Sequence, residues 1–276
     1  MRKLPLVSVI IPTKNSEEFL VDCLESIKKQ TYKDVEIIVV DNNSTDRTKK
    51  LASKYTKLVF NKGPERSAQR NFGAIKSTGD YLLFIDSDME LSKKAVEECV
   101  SKIKKSTGII IPEKDMGEGF WAKCKALERS FYIGVDWIEA ARFFPKEVFY
   151  EFKGYDEMQT GTEDSDFPQR IKDKFGENSI LRINSFIYHH EGKLSLFDTL
   201  KKRLYYAKTS NAYTNRKSNE EYFKKQSSIL QRYKLYFSDP RKLFKNPFLG
   251  LGVLFMKTLE FGVWGIGYSI SKFFRV

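Results

Sequence analysis

The chain has 276 residues, 48 Lys+Arg against 36 Asp+Glu, and a formal charge of +12. That length builds one large or two small domains with an ample core, and 41% hydrophobic against 30% charged residues excludes both disorder and a polytopic membrane protein. With 16 Gly, 8 Pro and three widely spaced cysteines (Cys23, Cys99, Cys124), collagen-like, disulfide-framework and zinc-finger readings fail, and a reducing compartment is the default.

In chain order, LVSVIIP (6–12) reads as a buried parallel strand, because the apolar run is too short for a secretory signal and leads straight into Lys14 and Asn15. Phe19, Leu20, Cys23, Leu24 and Ile27 recur at helical spacing within 17–30. VEIIVVD (35–41) is a second strand, with Thr45 or Asp46 able to cap a helix toward Lys54. A strand at 57–60, a helix at 65–77, the strand DYLLFID (80–86), a helix at 91–105 and GIIIP (108–112) follow. The middle is less regular: helix at 120–132, short strand at 142–145, helix at 163–174. SILRINSFIYHH (179–190) predicts one last long strand. This alternation predicts an α/β fold with a mostly parallel sheet, whose ligands bind beyond the carboxyl ends of the strands.

Three polar clusters sit at those ends: Pro12-Thr13-Lys14-Asn15, Asp41-Asn42-Asn43 and Asp86-Ser87-Asp88. Asp86 and Asp88 can converge on one hard cation such as Mg2+ or Mn2+, with a diphosphate completing the shell. The plain alternative is a strand-end turn with solvated acids. Asp41 can accept from a base or ribose while Asp46 caps the next helix. Arg66 and Arg70 open the third helix, one able to meet a base or phosphate and the other to pair within the fold. Glu163, Asp164 and Asp166 crowd a helix start, where like-charge repulsion raises a pKa toward general-base use and the macrodipole equally favours acids. His189 and His190, the only histidines, point to opposite faces of a strand end.

Taken together and in order, these segments resemble family 2 glycosyltransferases of the GT-A fold over about residues 5–192. VDNNSTD resembles that family's VDDGSTD, with Asn42 replacing the second acid. ERSAQRNFGAIKSTGDYLLFIDSDM resembles ARNxGxxxAxGxYxxFLDxDD, and the run from Phe143 through GTEDSDFPQRI resembles its GEDxDLxxR segment. The resemblance implies that Pro12, Thr13, Asn15, Asp41, Arg66, Asp86, Ser87 and Glu163 bind a nucleotide-sugar. It implies that Asp86 and Asp88, with His189 (His190 as the alternative), hold the Mn2+ or Mg2+, and that Asp164 is the catalytic base of an inverting transfer. UDP-sugars are the favoured donors. A base suits a hydroxyl acceptor, whereas a polyprenyl phosphate is already ionised and needs none. A nucleotidyltransferase would want a glycine-rich loop after the first strand, and this chain has none there.

The charge is partitioned. Residues 1–192 are electroneutral, with 31 basic and 31 acidic residues; residues 193–276 hold 17 basic, 5 acidic and 17 of the 39 aromatics. The division predicts a catalytic domain at 1–192 and a basic, aromatic helical region at 193–276 that meets the cytoplasmic face of a membrane. Nucleic acid is disfavoured, because residues 247–270 are apolar. That stretch, interrupted by five glycines and by Lys257 and Glu260, predicts two short helices lying in or dipping into one leaflet; spanning, or burial against a second copy, are the other options. The partners expected are a nucleotide-sugar, a lipid-linked or glycan acceptor, and the membrane surface.

Overall fold

A computed structural model describes residues 4–159, 161–209 and 220–274. The chain divides into two compact units: Met1–Pro112, Ala140–Glu157 and Glu163–His189 form the first, and Glu113–Glu139, Met158–Thr162 and His190–Val276 the second.

The first unit begins with β1 (Val7–Thr13), α1 (Leu20–Lys28), β2 (Val35–Asp41), α2 (Thr48–Ala52), β3 (Val59–Asn61), α3 (Arg66–Lys76), β4 (Tyr81–Phe84), β5 (Met89–Leu91), α4 (Ala95–Lys102) and β6 (Gly108–Ile110). Chain order then enters the second unit with β7 (Glu113–Glu118) and α5 (Gly119–Ser130). It returns for β8 (Ala141–Pro145), α6 (Lys146–Glu151), α7 (Glu163–Phe175), β9 (Ile180–Arg182) and β10 (Ile187–Lys193). Seven strands make one sheet in the order β3-β2-β1-β4-β8-β6-β9. The β1–β2, β1–β4, β2–β3 and β6–β9 pairs are parallel, and β8 runs antiparallel to both neighbours. The sheet is therefore mixed and mostly parallel.

Strand alternation sorts the core into two layers. Val7, Val9, Ile11, Ile37 and Val39 pack with Leu20, Cys23, Leu24 and Ile27 of α1 and Val96 and Cys99 of α4. Ile10, Ile38 and Val40 face the other way, onto Ala74 of α3, Val148 and Phe149 of α6, and Phe167 and Ile171 of α7. The helices thus cover both faces. Gly73 is required where α3 meets β1: a Cβ there would lie 2.5 Å from the Ile10 side chain.

The long strand expected over 179–190 is two strands in two sheets. Ile180–Arg182 pairs with β6, while Ile187–His189 pairs antiparallel with β5. Between them the backbone N–H groups of Asn184 and Ser185 donate to Glu98 Oε2 at 3.0 Å, and Phe186 N–H donates to Ser92 Oγ. Side chains satisfy this stretch in place of a ladder, so the apolar alternation continues while the pairing partner changes.

The second unit adds α8 (Leu196–Thr209), α9 (Glu220–Ser227), α10 (Ile229–Phe237), α11 (Pro240–Leu243) and α12 (Pro247–Phe274). Residues 113–139, assigned to the catalytic body by their place in the chain, pack with this tail. Its core joins Cys124, Phe131 and Tyr132 to Tyr236, Leu243, Val253 and Met256. The two short helices expected at 247–270 are one 28-residue helix. Glycine costs a helix interior about 1 kcal/mol, but here tertiary contact outweighs it. A Cβ at Gly252 would meet Cys124 and Phe120, and one at Gly267 would meet Ala207 and Leu204. These glycines let α5 and α8 approach the helix.

Candidate active site

The carboxyl ends of β1, β2 and β4 gather the predicted donor residues. Pro12 and Thr13 lie opposite Val40 and Asp41 in the β1–β2 register. Thr13 Oγ1 donates to Asp41 Oδ1 at 3.0 Å, and Ser44 N–H donates to Asp41 Oδ2 at 2.8 Å. Asp41 is fully buried. Its oxygens hold the loop after β2 together. Asn15, in the left-handed region at φ 49, ties the loop after β1 to the loop after β2. Its N–H donates to Ser44 Oγ and its Oδ1 accepts from Thr45 N–H. Ser87 Oγ donates to Ser16 Oγ at 2.8 Å, so the loop after β4 joins the same clasp. Asp46 accepts from Thr48 N–H and Glu17 N–H just ahead of α2, whose N-cap position is held by Arg47.

A second cluster surrounds Arg70, which is fully buried on α3. Its Nη2 donates to Asp86 Oδ1 at 2.7 Å and its Nη1 to Asp164 Oδ1 at 2.6 Å, with Glu163 Oε1 at 3.6 Å. One turn earlier, Arg66 reaches Glu163 at 3.2 Å and Asp86 Oδ2 at 3.6 Å. Arg142 of β8 lies 4.0 Å from Asp86 Oδ2. The cluster forms because Arg66 and Arg70 share a helix face, Asp86 follows β4, and the acidic first turn of α7 presents Glu163 and Asp164. Tyr155 supplies a ring 5.4 Å from the Arg70 guanidinium.

Burial alone would raise the Asp86 carboxyl, but Arg70, Arg66 and Arg142 outweigh it and hold Asp86 well below the usual carboxylate range. Glu163 goes the other way. Burial first, then the Asp164 charge, push its carboxyl up against the opposing pull of Arg66 and Arg70. The raised acid of the GTEDSD segment is therefore Glu163.

The third grouping suits a cation. His189 Nε2 lies 3.4 Å from Asp88 Oδ2, brought there by the pairing of His189 with Met89. Asp88 Oδ1 is buried and, among the described residues, has no hydrogen-bond partner. An orphaned carboxylate oxygen beside an imidazole nitrogen is a donor set that fits Mn2+ or Mg2+. Asp86, also expected as a ligand, has its carboxylate engaged by guanidinium groups. His190 points to the opposite face of its strand from His189.

Sequence reasoning left open which arginine pairs inside the fold and overlooked Arg142. The four-residue spacing of Arg66 and Arg70 is the available signal for their shared face. Arg142 had none, since only the β4–β8 pairing brings it near Asp86.

The mixed, mostly parallel sheet with carboxylates gathered at its strand ends is a fold of the GT-A type. Residues 8–223 match the family model "Glycosyl transferase family 2", so the chain belongs to that family. It is similar to the GalNAc(5)-diNAcBac-PP-undecaprenol beta-1,3-glucosyltransferase of Campylobacter jejuni, at 33% identity over 109 residues, 36% of this chain and 35% of that protein. The chain spans less than half the length of the first curated relatives it matches, between 18% and 42%. In fold it is similar to the mannosyltransferase PcManGT of Pyrobaculum calidifontis, solved with GDP-Man and Mn2+ (TM-score 0.57, 16% identity, 98% of this chain and 81% of that one). It is likewise similar to residues 1–349 of S. aureus TarS, solved with UDP-GlcNAc (TM-score 0.51, 16% identity, 97% and 91%).

Proposed function

We propose that this glycosyltransferase is inverting and metal-dependent, and that it moves a sugar from a nucleotide-sugar to a hydroxyl of a lipid-linked glycan at the cytoplasmic face of a membrane. The observation that carries the reading is the Arg70 guanidinium, which holds Asp164 at 2.6 Å and Asp86 at 2.7 Å. One rigid side chain thereby sets the distance between a donor-loop acid and a candidate base. Effective orientation of this kind lowers a barrier by removing the entropy of assembly.

In this reading the clasped loops carrying Pro12, Thr13, Asn15, Asp41 and Ser87 form the nucleotide side of the cleft. Arg66, Asp86 and Glu163 line the sugar diphosphate. Asp88 and His189 would hold the divalent cation, which when bound supplies positive charge to the departing diphosphate. Asp164 accepts the proton of the acceptor hydroxyl as that oxygen attacks the anomeric carbon, and a single displacement inverts its configuration. Arg70 keeps Asp164 aimed through the 2.6 Å contact of its Nη1 with Asp164 Oδ1. The UDP-GlcNAc bound by TarS supports a UDP-sugar, and the GDP-Man bound by PcManGT makes GDP-sugars the comparison to run. The undecaprenol-linked substrate in the name of the Campylobacter relative supports the lipid-linked acceptor.

A donor panel tests this: UDP-, GDP- and dTDP-sugars, each with and without Mn2+, read by thermal shift and by release of nucleoside diphosphate. The expected result is a metal-dependent shift with one nucleotide that disappears in Asp88→Ala. Absence of a shift with every donor would overturn the reading, and an Asp88→Ala protein of intact metal-dependent affinity would overturn the cation assignment.

A further inference from the structure

α12 has the length and composition of a membrane span over Pro247–Ser269, yet its charges are spoken for inside the second unit. Lys257 and Glu260 are buried. Lys257 Nζ lies 2.6 Å from Glu260 Oε2 and 2.5 Å from Glu128 Oε1 on α5. Glu260 also faces Lys125 on α5 at 3.6 Å and Arg203 on α8 at 3.1 Å. A spanning helix would strip these partners and leave two charges in hydrocarbon, where they are costly.

The opposite side of the helix is open and mostly apolar, with Thr258 and Gly262 also exposed between Phe255 and Ile266. Phe248, Leu251, Phe255 and Ile266 are 79%, 60%, 55% and 61% exposed. Their spacing of three, four and eleven residues places them on one stripe, about 27 Å long at 1.5 Å per residue. Other exposed aromatics of the same unit adjoin its N-terminal half. Phe237 and Phe244 lie 6.3 Å apart by ring centroid, and Phe244 sits against Gly250. Phe120 abuts Gly252, and Trp121 stacks 6.2 Å from Phe255. A contiguous exposed patch of this kind marks an interaction surface. Lys234, Arg241 and Lys245 are exposed in the segment leading into the helix, where Asp239 is the single acid between residues 228 and 249.

We infer that α12 lies in the plane of the bilayer, with the stripe of Phe248, Leu251 and Phe255 immersed in one leaflet and Arg241 and Lys245 on anionic headgroups. The inference deepens the proposed membrane-surface function by naming the face and the lipid chemistry. Aromatic side chains beside basic ones match an anionic interface, whereas a second copy of this chain would bring the same positive charge to the patch.

The test is flotation of the full chain with phosphatidylcholine vesicles, with and without phosphatidylglycerol. Wild type is expected to float with the anionic vesicles and to be released by salt. Phe248→Asp/Leu251→Asp should weaken binding about tenfold or more, and Arg241→Glu/Lys245→Glu about fivefold per residue with phosphatidylglycerol only. Ile75→Asp, at a comparably exposed apolar position on the first unit, should bind as wild type. Unchanged thermal unfolding and an unchanged donor thermal shift in the same samples show that the fold and the donor site survive, so failure of the membrane face is distinguishable from failure of the transferase reading. Undiminished flotation of Phe248→Asp/Leu251→Asp overturns the inference. So does wild type that does not float but sediments as a dimer dissolved by Phe248→Asp, which assigns the face to a second copy. Retention in native membranes through alkaline carbonate extraction overturns the in-plane orientation in favour of a span.

Discussion

The two units each bury a network of opposite charges, and the networks differ in what they leave open. In the first, Arg70 is fully buried while Asp86, Asp164 and Arg66 retain 15%, 25% and 37% of their side-chain exposure. In the second, Glu128, Lys257 and Glu260 are each at most 5% exposed, and Tyr132 donates to Glu128 while its hydroxyl also meets that of Tyr236 at 2.8 Å. A closed network fixes helices and has no capacity left for a ligand. An open one, with carboxylates aimed at solvent from a rigid guanidinium, can exchange partners with a substrate. Buried charge by itself is thus no mark of a site; exposure of the acids around a buried cation is.

The sharpest way to break this contrast is to remove one member of each network. Asp164→Asn is expected to lower kcat about 10²–10⁴-fold, the usual range for loss of a general base, with donor binding and melting temperature nearly unchanged. Steady-state kinetics with the donor that the panel identifies would measure it, and full activity would refute the base assignment. Lys257→Met should instead leave catalysis per folded molecule intact and cost about 3–5 kcal/mol of stability, because Glu128 and Glu260 lose their nearest cation. Urea unfolding followed by the tryptophans reads this directly, and a loss below about 1 kcal/mol would mean that Lys125 and Arg203 suffice.

A gentler probe is pH. Burial would raise Glu128, but Lys125 and Lys257 outweigh it and bring it to about 2, and Glu260 is lowered in the same sense. A carboxylate depressed in the folded state contributes stability that is complete above its ordinary value near 4.5. That contribution is lost as pH falls toward 2, because the unfolded chain binds the proton first. The melting temperature should therefore drop between about pH 4.5 and 2, and the drop should shrink in Glu128→Gln. The smallest effect belongs to Arg203→Ala. Its side chain is 41% exposed, so solvent already screens its pair with Glu260, and a loss within about 1 kcal/mol is expected. A larger loss would show that the α8–α12 contact is as closed as the α5–α12 one.

Much of this was legible from local pattern. The βα alternation of the first 112 residues predicts the parallel sheet because Val- and Ile-rich runs and 3.6-residue spacing are properties of adjacent residues. Asp86 and Asp88 stand out as paired acids after a buried strand, and Asp164 stands out through the resemblance of its GTEDSD segment to the family motif. Arg142 and the clasp role of Asp41 could not be read this way. Both depend on which strands pair, and strand order is set by contacts among residues distant in sequence.

The glycines of α12 teach the same limit from the other side. Taken alone, five glycines and two charges in an apolar run argue for a broken helix. Gly252 and Gly267 are where Cys124, Phe120 and Leu204 come close, and Lys257 with Glu260 are where Glu128, Lys125 and Arg203 wait. Sequence by itself determined the α/β class, the family motifs and the neutral and basic halves, since these rest on composition and nearest-neighbour spacing. Tertiary structure alone decided that one arginine joins Asp86 to Asp164 and that the apolar helix keeps its charges inward and its aromatics outward. Those outcomes depend on desolvation, and a residue's exposure is decided by what the rest of the chain packs against it.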